Sequence, residues 1–431
     1  MRTITDSRLL AFEALVDVEI HGSYSNLVLP KMLGRSSLSS EDRAFSSELV
    51  YGSLRMKGRH DSLITHASNR PLNQIDPKVL IVLRLGVHQL TQMRVPSHAA
   101  IFETVELAKK VTGKSSASFV NAVLRNIDTD NSRFTTGNTE PLERLSIEYS
   151  HPEWIVSSYL DSLKSEEEVE KLLRANNVPA RPTLIAWPGR SSIEELIDCG
   201  ATPMDGTHLS ATLDGDPGSI PAIRERRAGV QDRGSQIVVE RFLDTFEDNL
   251  RWLDLCAGPG GKAAYLSSVL AQRSGEFVAN EVSRERAELV KQVVPNFPVL
   301  NHDGRNLPDS IGEFDRILVD APCTGIGALR RRPEVRWRRT LQDLRNLTVL
   351  QSDLLDEAVK RLKINGIIAY VTCSSHQAET KFQVRSFLKR HADFSRMPVQ
   401  DERRDADGDL QLWTHRDACD SMFLSLLRRE R

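Results

Sequence analysis

Apolar positions in about the first 130 residues recur with the period of α-helices. The clearest stripe consists of Leu80, Leu83, Val87 and Leu90. Side chains three or four residues apart lie on one face of a helix, so this stripe predicts a helix that packs against a core. Asp76 followed by Pro77 commonly begins such a helix. Similar stripes on either side predict an all-helical bundle over this part of the chain.

From about residue 249 onward the pattern changes to short apolar runs separated by helix-like stretches. The runs are Leu253–Leu255, Gly275–Asn280, Val299–Leu300, Arg316–Val319 and Gly366–Val371. Alternation of this kind is typical of a parallel sheet with helices on both faces. Ligands of such sheets bind outside the carboxyl ends of the strands, near the switch in strand order. The pattern therefore predicts an α/β domain with its functional residues at that edge.

Between these two parts the pattern is weaker. Residues 128–140 are rich in Asp, Asn, Thr and Gly, which predicts a linker. After residue 151, helical and strand-like pieces alternate, and nothing in their pattern indicates a function. We therefore predict three parts: a helical domain at 1–130, a connecting α+β segment at 141–235 and an α/β domain at 236–431.

The composition is typical of a soluble globular protein. Of the 431 residues, 40% are hydrophobic and 27% are charged, and the formal net charge is −2. The sequence contains no run of about 18 apolar residues that could span a bilayer. Met1–Ile4 leads directly into an amphipathic pattern, without the apolar core of a signal peptide. These features predict a cytoplasmic protein with no membrane partner.

The five cysteines differ in what their surroundings predict. Their odd number and the absence of a CxxC pair argue against a disulfide framework, a zinc knuckle or any other metal site. Cys199 and Cys419 are expected to be small buried hydrophobes, and Cys256 a packing or cofactor-contact residue. Cys323 and Cys373 each follow an apolar strand and are expected on neighbouring loops. A reactive thiol needs a lowered pKa, which nearby Arg or Lys side chains can provide.

A run of arginines lies a few residues beyond Cys323. The range Arg330–Arg339 contains six arginines and one tryptophan. The net charge of −2 argues against a uniformly basic nucleic-acid coat, but a local patch of this kind is enough to bind RNA. The alternative is a solvated basic face without a ligand. Proximity to a candidate reactive cysteine favours the first interpretation, so we predict RNA contact for this run.

A glycine-rich turn, Cys256–Lys262, follows the first predicted strand of the α/β part. Its spacing matches neither the GxGxxG of dinucleotide-binding folds nor the GxxxxGK[ST] of P-loops. Glycines allow the backbone to approach a ligand closely, and the helix that follows offers unpaired N–H groups. A generic strand-to-helix turn is the alternative.

Two carboxylates stand at the ends of the next two predicted strands. Glu281 is placed to bind the hydroxyl pair of a ribose, and Asp303 is within reach of an adenine edge. Each residue taken alone could be an ordinary surface carboxylate. With the glycine-rich turn they occupy three successive strand ends, which favours S-adenosylmethionine over a dinucleotide.

Longer motifs carry a family resemblance. They are Leu253–Lys262, Asp320–Gly327, Arg331–Trp337 and Thr372–Ser374. With these motifs, residues 236–431 resemble the RNA cytosine-5 methyltransferases of the Nop2/Sun family. Arg84–Leu90 and Phe119–Arg125 are similar to the NusB-like RNA-binding fold, over roughly residues 5–130. The resemblance implies a multidomain fold class, with an all-α NusB-like bundle and an α/β Rossmann-like class I methyltransferase domain.

The resemblance also implies which residues bind S-adenosylmethionine. They are Cys256, Ala257, Gly258, Pro259, Gly260, Gly261, Lys262, Glu281, Asp303 and Asp320. The family usually has alanine where this chain has Gly258, and aspartate where it has Glu281. Both changes are expected to preserve the turn and the ribose contact.

Three side chains carry the chemistry that the resemblance implies. Cys373 is the nucleophile that adds to carbon 6 of cytosine, Cys323 helps to remove the carbon 5 proton or to release the enzyme, and Asp320 hydrogen-bonds the pyrimidine. Addition of a thiolate makes carbon 5 nucleophilic enough to accept a methyl group. The expected partner is 16S ribosomal RNA or an early small-subunit assembly intermediate.

Other interpretations stay open at this point. DNA cytosine methyltransferases use a Pro-Cys nucleophile, which nominates Cys323, although Thr372–Ser374 favours Cys373. The substrate could also be tRNA. A non-catalytic NusB-like RNA-binding factor would need neither an intact cofactor loop nor a pair of cysteines, and this chain has both.

Overall fold

The computed structural model describes residues 6–129, 140–247, 250–273 and 275–431. These residues form two compact units. One unit contains the described residues up to Val178 together with Leu329–Arg338, and the other contains those of Pro179–Ala328 and Arg339–Arg431. Most of the predicted linker, 130–139, lies outside the described residues. No helix among the described residues is long and apolar enough to cross a membrane.

The helices range in length from 4 to 21 residues. In chain order they are α1 Ser7–Glu19, α2 Ser25–Gly34, α3 Ser40–Arg55, α4 Lys57–Ser68, α5 Pro77–Thr91, α6 Ser97–Val111, α7 Lys114–Thr129, α8 Pro141–Glu148, α9 Glu153–Leu163, α10 Glu166–Asn176, α11 Ile193–Asp198, α12 Pro221–Arg224, α13 Arg233–Leu243, α14 Gly261–Leu270, α15 Arg284–Val293, α16 Val335–Arg338, α17 Leu341–Arg361, α18 Lys381–Arg390 and α19 Thr414–Asp417. Helices α1–α10 and α16 belong to the first unit.

The strands all belong to the second unit. They are β1 Thr183–Ala186, β2 Thr202–Pro203, β3 Ser210–Thr212, β4 Ala228–Val230, β5 Arg251–Asp254, β6 Glu276–Asn280, β7 Val299–Leu300, β8 Phe314–Asp320, β9 Leu362–Thr372, β10 Phe394–Met397, β11 Leu410–Gln411 and β12 Phe423–Arg429. The predicted connecting segment at 141–235 is therefore divided, with its long helices in the first unit and its strands in the second. The predicted domain boundaries at 130 and 235 stay predictions.

The predicted apolar stripe lies on helix α5 and faces the core of the helical unit. The Asp76 carboxylate accepts hydrogen bonds from the backbone N–H groups of Lys78 and Val79, at 2.9 and 3.2 Å. The buried members of the stripe are Leu80, Leu83 and Val87. They join one hydrophobic cluster with residues of α1, α3, α4, α6 and α7. The predicted all-helical bundle is confirmed.

The segment Leu329–Arg338 lies within the helical unit, and Arg336 is its most buried charged side chain. Arg336 is fully buried, and its guanidinium donates hydrogen bonds to the carbonyl oxygens of Ser150 and Arg55 at 3.0 and 3.2 Å. It also donates to Oδ1 of Asn177 at 2.9 Å. Burial lowers the pKa of Arg336 to about 9, an effect that the positive charge of Arg55 reinforces.

Two neighbours of Arg336, Glu334 and Arg338, also form hydrogen bonds with residues of the helical unit. The Glu334 carboxylate accepts hydrogen bonds from the backbone N–H and the hydroxyl of Ser25, at 3.1 and 2.8 Å. The guanidinium of Arg338 donates to the carbonyl oxygens of Val18 and Gly22, at 2.7 and 3.1 Å. The prediction of RNA contact is wrong for Arg336, because its guanidinium is fully buried within the helical unit. It stays a prediction for Arg338, which is half-buried.

The second unit contains a four-stranded antiparallel sheet and a larger mixed sheet. The strand order of the small sheet is β2-β3-β1-β4, and that of the large sheet is β10-β12-β9-β8-β5-β6-β7, with β11 paired to β12. Strands β5 to β9 run parallel to one another, and β12 is antiparallel to β9. This arrangement confirms the predicted α/β fold class.

The order of the large sheet reverses at β5. Strands β6 and β7 continue the sheet on one side of β5, whereas β8 and β9 continue it on the other. The carboxyl ends of β5, β8 and β9 therefore lie side by side at the edge where parallel sheets bind their ligands. The glycine-rich turn follows β5, Asp320 ends β8 and Cys373 follows β9.

Candidate active site

The thiols of Cys323 and Cys373 lie next to each other at this edge. Their sulfur atoms are 3.4 Å apart, and both side chains are half-buried. The backbone N–H of Gly327 donates to the carbonyl oxygen of Cys373 at 3.0 Å, which joins the two loops. A Cβ atom on Gly327 would overlap the carbonyl oxygen of Ser421, so the turn after Cys323 requires glycine at this position.

The surroundings of Cys323 keep it protonated. The hydrogen bond with Cys373, burial, and the negative charges of Cys373 and Glu379 raise its pKa well above the usual range of a thiol. The lowered pKa that the sequence predicted for reactive thiols is therefore wrong for Cys323 in this state. Either sulfur can donate the hydrogen bond between them, and while Cys323 stays protonated, Cys373 is the sulfur that can carry the negative charge.

Lys262 supplies a half-buried positive charge that interacts with Cys373. Its ammonium group lies 2.8 Å from Oδ2 of Asp320. Burial acts to lower the pKa of Lys262, but the charges of Asp320 and Cys373 outweigh burial and the pKa is raised. Since Coulomb attraction is mutual, Lys262 in turn favours the thiolate form of Cys373. The sequence assigned Lys262 to the cofactor alone and missed this effect.

The glycine-rich turn and Glu281 are joined directly. The buried Glu281 carboxylate accepts hydrogen bonds from the backbone N–H groups of Gly258 and Ser283, both at 2.9 Å. A Cβ atom on Gly258 would overlap Oε2 of Glu281. Gly260 has a φ of 115°, and a Cβ there would lie 2.6 Å from Cγ2 of Val293. The backbone conformation at Gly260 therefore requires glycine, whereas a side chain at Gly258 would have to displace the carboxylate of Glu281.

Asp254 lies at the end of β5 and is fully buried. Its Oδ1 accepts a hydrogen bond from the backbone N–H of Cys256 at 3.3 Å, while Oδ2 has no hydrogen-bond partner among the described residues. Burial and the nearby Asp320 carboxylate raise the pKa of Asp254 to about 8, against the opposing effect of Lys262. A buried acceptor beside a glycine-rich turn and a second buried acid, Glu281, fits S-adenosylmethionine, which carries an ammonium group and a ribose.

Asp303 differs from the other predicted cofactor residues. Its carboxylate is largely exposed and lies 2.6 Å from the guanidinium of Arg305. Hydrogen bonds from Arg305 lower the pKa of Asp303 to about 2. The proposed contact with adenine stays a prediction, and in this structure the carboxylate is engaged by Arg305.

Glu379 is a residue of this edge that sequence reasoning missed. Its side chain is fully buried, and its carboxylate accepts hydrogen bonds from Thr324 and Ser374, the residues that follow the two thiols. Gln351 of α17 donates to the same carboxylate at 3.2 Å. The only signal in the sequence was a polar stretch, Ser374–Thr380, directly after a buried strand.

The remaining cysteines behave differently from one another. Cys419 is buried, as predicted. Cys199 is exposed, so its predicted burial is wrong: it follows the short helix α11 and is succeeded by Gly200 in a turn at the surface. Cys256 is half-buried against apolar side chains, and burial raises its pKa well above the usual range. Within the described ranges, no group of three or more His, Cys, Asp or Glu side chains is arranged to hold a metal ion.

Comparison with protein families divides the chain into two matched regions. Residues 5–129 match the NusB family. Residues 241–428 match the family described as 16S rRNA methyltransferase RsmB/F. The second match contains the glycine-rich turn, both thiols and Glu379.

Named relatives align with nearly the whole chain. A Mycobacterium tuberculosis protein, whose name gives it as a methyltransferase without naming a substrate, is 39% identical over 99% of this chain and 97% of its own length. Ribosomal RNA small subunit methyltransferase B of Vibrio vulnificus is 31% identical over 89% of this chain and 91% of its own.

Solved structures share the fold. The crystal structure of PH0851 has a TM-score of 0.84 and 22% identity, and covers 99% of this chain and 100% of that one. The structure of NSun6 from Pyrococcus horikoshii with SFG, an analogue of S-adenosylmethionine, has a TM-score of 0.56 and 18% identity. It covers 65% of this chain and 98% of that one.

Proposed function

Because this chain belongs to the 16S rRNA methyltransferase RsmB/F family, we propose that it methylates carbon 5 of a cytosine in 16S ribosomal RNA through a covalent cysteine adduct at carbon 6. The family is one of S-adenosylmethionine-dependent ribosomal RNA methyltransferases. The position of the methyl group, the adduct and the identity of the RNA are parts of the proposal.

The observation that carries the proposal is the pair of thiols 3.4 Å apart at the functional edge of the sheet. A cysteine that served only to pack the core would be expected among apolar side chains, without a second thiol beside it. Methyl transfer to carbon 5 of cytosine needs a nucleophile at carbon 6 and afterwards a base at carbon 5. Cys373 and Cys323 together provide two groups of suitable chemistry at one place.

Cys373 is the better candidate for the nucleophile. Lys262 favours its thiolate, and the raised pKa of Cys323 favours the protonated form of the other thiol. The Cys373 thiolate adds to carbon 6, and the electron pair of the ring's 5,6 double bond becomes available at carbon 5. Asp320 hydrogen-bonds the pyrimidine and favours its protonation during this addition.

Cys323 acts in the second half of the reaction. Its raised pKa results first from the hydrogen bond with Cys373 and also from the negative charge of that residue. Both effects end when the Cys373 sulfur is bonded to carbon 6, since a thioether carries no charge. Cys323 can then release its proton to solvent and remove the carbon 5 proton, while the bond between carbon 6 and sulfur breaks and restores the Cys373 thiolate.

The cofactor binds, in this proposal, at the turn Cys256–Lys262 and at Glu281, Asp303 and Asp320. S-adenosylmethionine supplies an electrophilic methyl group on a sulfonium when bound. The Gly258–Glu281 contact fixes the turn, and the buried oxygen of Asp254 offers an acceptor beside it. NSun6, which has the same fold, was solved with SFG, and this supports S-adenosylmethionine as the cofactor.

The first experiment compares wild type, Cys373→Ala and Cys323→Ala. Each full-length protein is incubated with labelled S-adenosylmethionine and unmodified 16S ribosomal RNA, and both methyl transfer and RNA that stays bound in denaturing gels are measured. We expect Cys373→Ala to lose both signals and Cys323→Ala to accumulate covalent RNA, because attack proceeds but elimination stops. Cys199→Ala, which removes an exposed thiol elsewhere, is the control and should match wild type.

The opposite pattern, with covalent RNA in Cys373→Ala, would assign the attack to Cys323. Label at a position of cytosine other than carbon 5 would contradict the proposed chemistry. Transfer to tRNA in preference to every form of 16S ribosomal RNA would replace the proposed substrate.

A further inference from the structure

One buried carboxylate is bonded to both thiol-bearing loops. Oε1 of Glu379 accepts a hydrogen bond from the backbone N–H of Thr324 at 2.8 Å, and Oε2 accepts one from the hydroxyl of Ser374 at 2.7 Å. The Thr324 hydroxyl also donates to Oε2. Thr324 directly follows Cys323 and Ser374 directly follows Cys373, so Glu379 holds each thiol through the adjacent residue.

The carboxylate is itself fixed from several sides. Gln351 donates one hydrogen bond to Glu379 at 3.2 Å and another to the carbonyl oxygen of Pro322 at 2.9 Å. The hydroxyl of Tyr370 donates to the backbone carbonyl of Glu379 at 2.8 Å. A carboxylate accepts up to about four hydrogen bonds, and here all its acceptor positions face donors from the two loops and α17. A network with every member satisfied is rigid.

We propose that Glu379 is a positioning residue that sets the separation and orientation of the Cys323 and Cys373 thiols. This inference rests on the proposed two-thiol reaction. Each loop lies beyond the end of its strand, where the sheet's own hydrogen bonds no longer hold the chain. The carboxylate of Glu379 replaces them, so the geometry of both thiols depends on one side chain.

The charge of Glu379 has a second, measurable effect. Together with Cys373, Glu379 contributes a negative charge that disfavours the thiolate of Cys323. Tyr370 also faces this group, and its own pKa is raised well above the usual range by burial and by Glu379. Removing the charge of Glu379 should therefore make Cys323 easier to ionise. A buried carboxylate that stabilised the fold away from the thiols would leave this property unchanged.

The first test uses Glu379→Gln in the full-length protein. Glutamine has a similar shape but presents one acceptor oxygen and an NH₂ group, which cannot accept the hydrogen bonds of the second carboxylate oxygen. With 16S ribosomal RNA and saturating labelled S-adenosylmethionine, we expect the single-turnover rate to fall by about 100-fold, the effect of misplacing reacting groups by about 1 Å. The KM for RNA and the Kd of the cofactor should change by less than about threefold, well below that loss.

The matched control is Glu357→Gln. Glu357 is also a buried carboxylate of the second unit that accepts a backbone N–H, from Leu307 at 3.2 Å, but it does not contact either thiol loop. We expect this variant to lose thermal stability without the loss in single-turnover rate. Equal rates for Glu379→Gln and Glu357→Gln, at equal thermal midpoints, would overturn the proposal.

The second test needs no RNA. In a Cys373→Ala background, the alkylation of Cys323 by iodoacetamide is followed by peptide mass spectrometry as a function of pH, with and without Glu379→Gln. We expect the midpoint to move to lower pH when the carboxylate is replaced, and an unchanged midpoint would contradict the proposal. Alkylation does not require methyl transfer, so this result tests the role of Glu379 independently of the proposed function. The proposed function itself fails if wild type methylates no RNA.

Two further variants carry the test if Glu379→Gln does not fold. Ser374→Ala and Thr324→Val each remove one hydroxyl that donates to Glu379 and leave the carboxylate in place. We expect each to lower the single-turnover rate by about tenfold with an unchanged cofactor Kd, since one of the two loops is loosened. Wild-type rates in both variants would overturn the proposal.

Discussion

At the scale of single residues, Gly258 and Glu281 are in direct contact, so a change at one affects the other. They are the two positions at which the cofactor region departs from the family pattern, and each departure taken alone is conservative. In the structure, Oε2 of Glu281 accepts the N–H of Gly258 and occupies the space of a Cβ at that position. The longer acid reaches the turn because the turn carries no side chain there.

We therefore expect Gly258→Ala to weaken cofactor binding and Glu281→Asp to restore it in the double variant. The alanine methyl group displaces the glutamate carboxylate, which should raise the Kd of S-adenosylmethionine by about tenfold, or about 1.4 kcal/mol. Isothermal titration calorimetry on the four proteins of the cycle measures the coupling. Additive effects of the two substitutions would show that the residues act independently.

Asp254 makes stability depend on pH. Its pKa is raised from 3.8 to about 8 in the folded protein, mainly by burial, so the folded state keeps a proton that the unfolded state has already lost. The stability from this group is therefore fully present below about pH 4 and is lost as the pH rises through about 8. The amide of Asp254→Asn does not titrate, so this variant does not lose stability in this way as the pH rises.

We expect the thermal midpoint of Asp254→Asn to rise relative to wild type between about pH 5 and pH 9, in protein free of cofactor. Differential scanning calorimetry in matched buffers measures this difference. Asp303→Asn is the control, because the pKa of the exposed Asp303 is lowered to about 2 and its titration lies below this window. Parallel profiles of Asp254→Asn and wild type would contradict the assignment.

Some residues of this edge could be predicted from the sequence, and others could not. The cysteines and the glycine-rich turn stand in short motifs, next to strands whose apolar runs are evident. Glu379 could not be recognised, because its role depends on Thr324, which is distant along the chain and close only in the fold. The exposure of Cys199 was missed for a similar reason, since a lone cysteine carries no local signal of burial.

At the scale of elements, periodicity predicted the helices of the bundle and the strands of the parallel sheet. Helix α5 was recognised from the helical period of its apolar residues, and strand β7 was recognised as a short apolar run. The role of Arg336 was predicted wrongly, because a cluster of arginines looks the same in a sequence whether its partners are RNA phosphates or backbone carbonyls. Only the fold distinguishes these partners.

We expect Arg336→Ala to destabilise the helical unit. The substitution leaves buried carbonyl and amide oxygens, including those of Ser150 and Asn177, without their donor. Losing a buried network of this kind costs about 3 kcal/mol or more. Thermal unfolding of the full-length protein measures the loss.

Arg332→Ala is the matched control for Arg336→Ala. Arg332 belongs to the same run but is exposed, so its substitution should change stability by about 0.5 kcal/mol or less. If the two variants unfold at the same temperature, the guanidinium of Arg336 does not stabilise the helical unit.

At the scale of the whole molecule, the basic side chains of the helical unit differ in how accessible they are to RNA. Arg55 is buried, and Lys57 is paired with Glu19 at 2.9 Å. Lys114 is exposed, whereas Lys109 and Lys110 are in exposed ion pairs of the weak kind that RNA phosphates can replace.

Replacing Lys109, Lys110 and Lys114 by glutamine should weaken RNA binding and leave cofactor binding unchanged. Each lysine that contacts a phosphate contributes about one to the slope of affinity against salt concentration, so the slope should fall by up to about three. Filter binding of 16S ribosomal RNA at several salt concentrations measures the slope. Lys291→Gln, on α15 of the other unit, is the control, and an equal effect of both changes would argue against a specific RNA surface on the bundle.

This surface variant tests the helical unit more cleanly than removing residues 1–130. Such a deletion would also take away Ser25 and Arg55, which bind Glu334 and Arg336. A loss of activity after the deletion would then have two explanations: the unfolding of Leu329–Arg338 and the loss of an RNA contact.

The segment Leu329–Arg338 also determines when the helical unit can finish folding during synthesis. A chain made from its N-terminus exposes α1–α10 to solvent long before Leu329–Arg338 has been synthesised. Until that segment emerges from the ribosome, the carbonyls that receive Arg336 remain without it. The helical unit, although encoded first, is therefore completed only after the strand that leads to Cys323 has been made, and a gene cut after residue 178 would yield two fragments that are each unfinished.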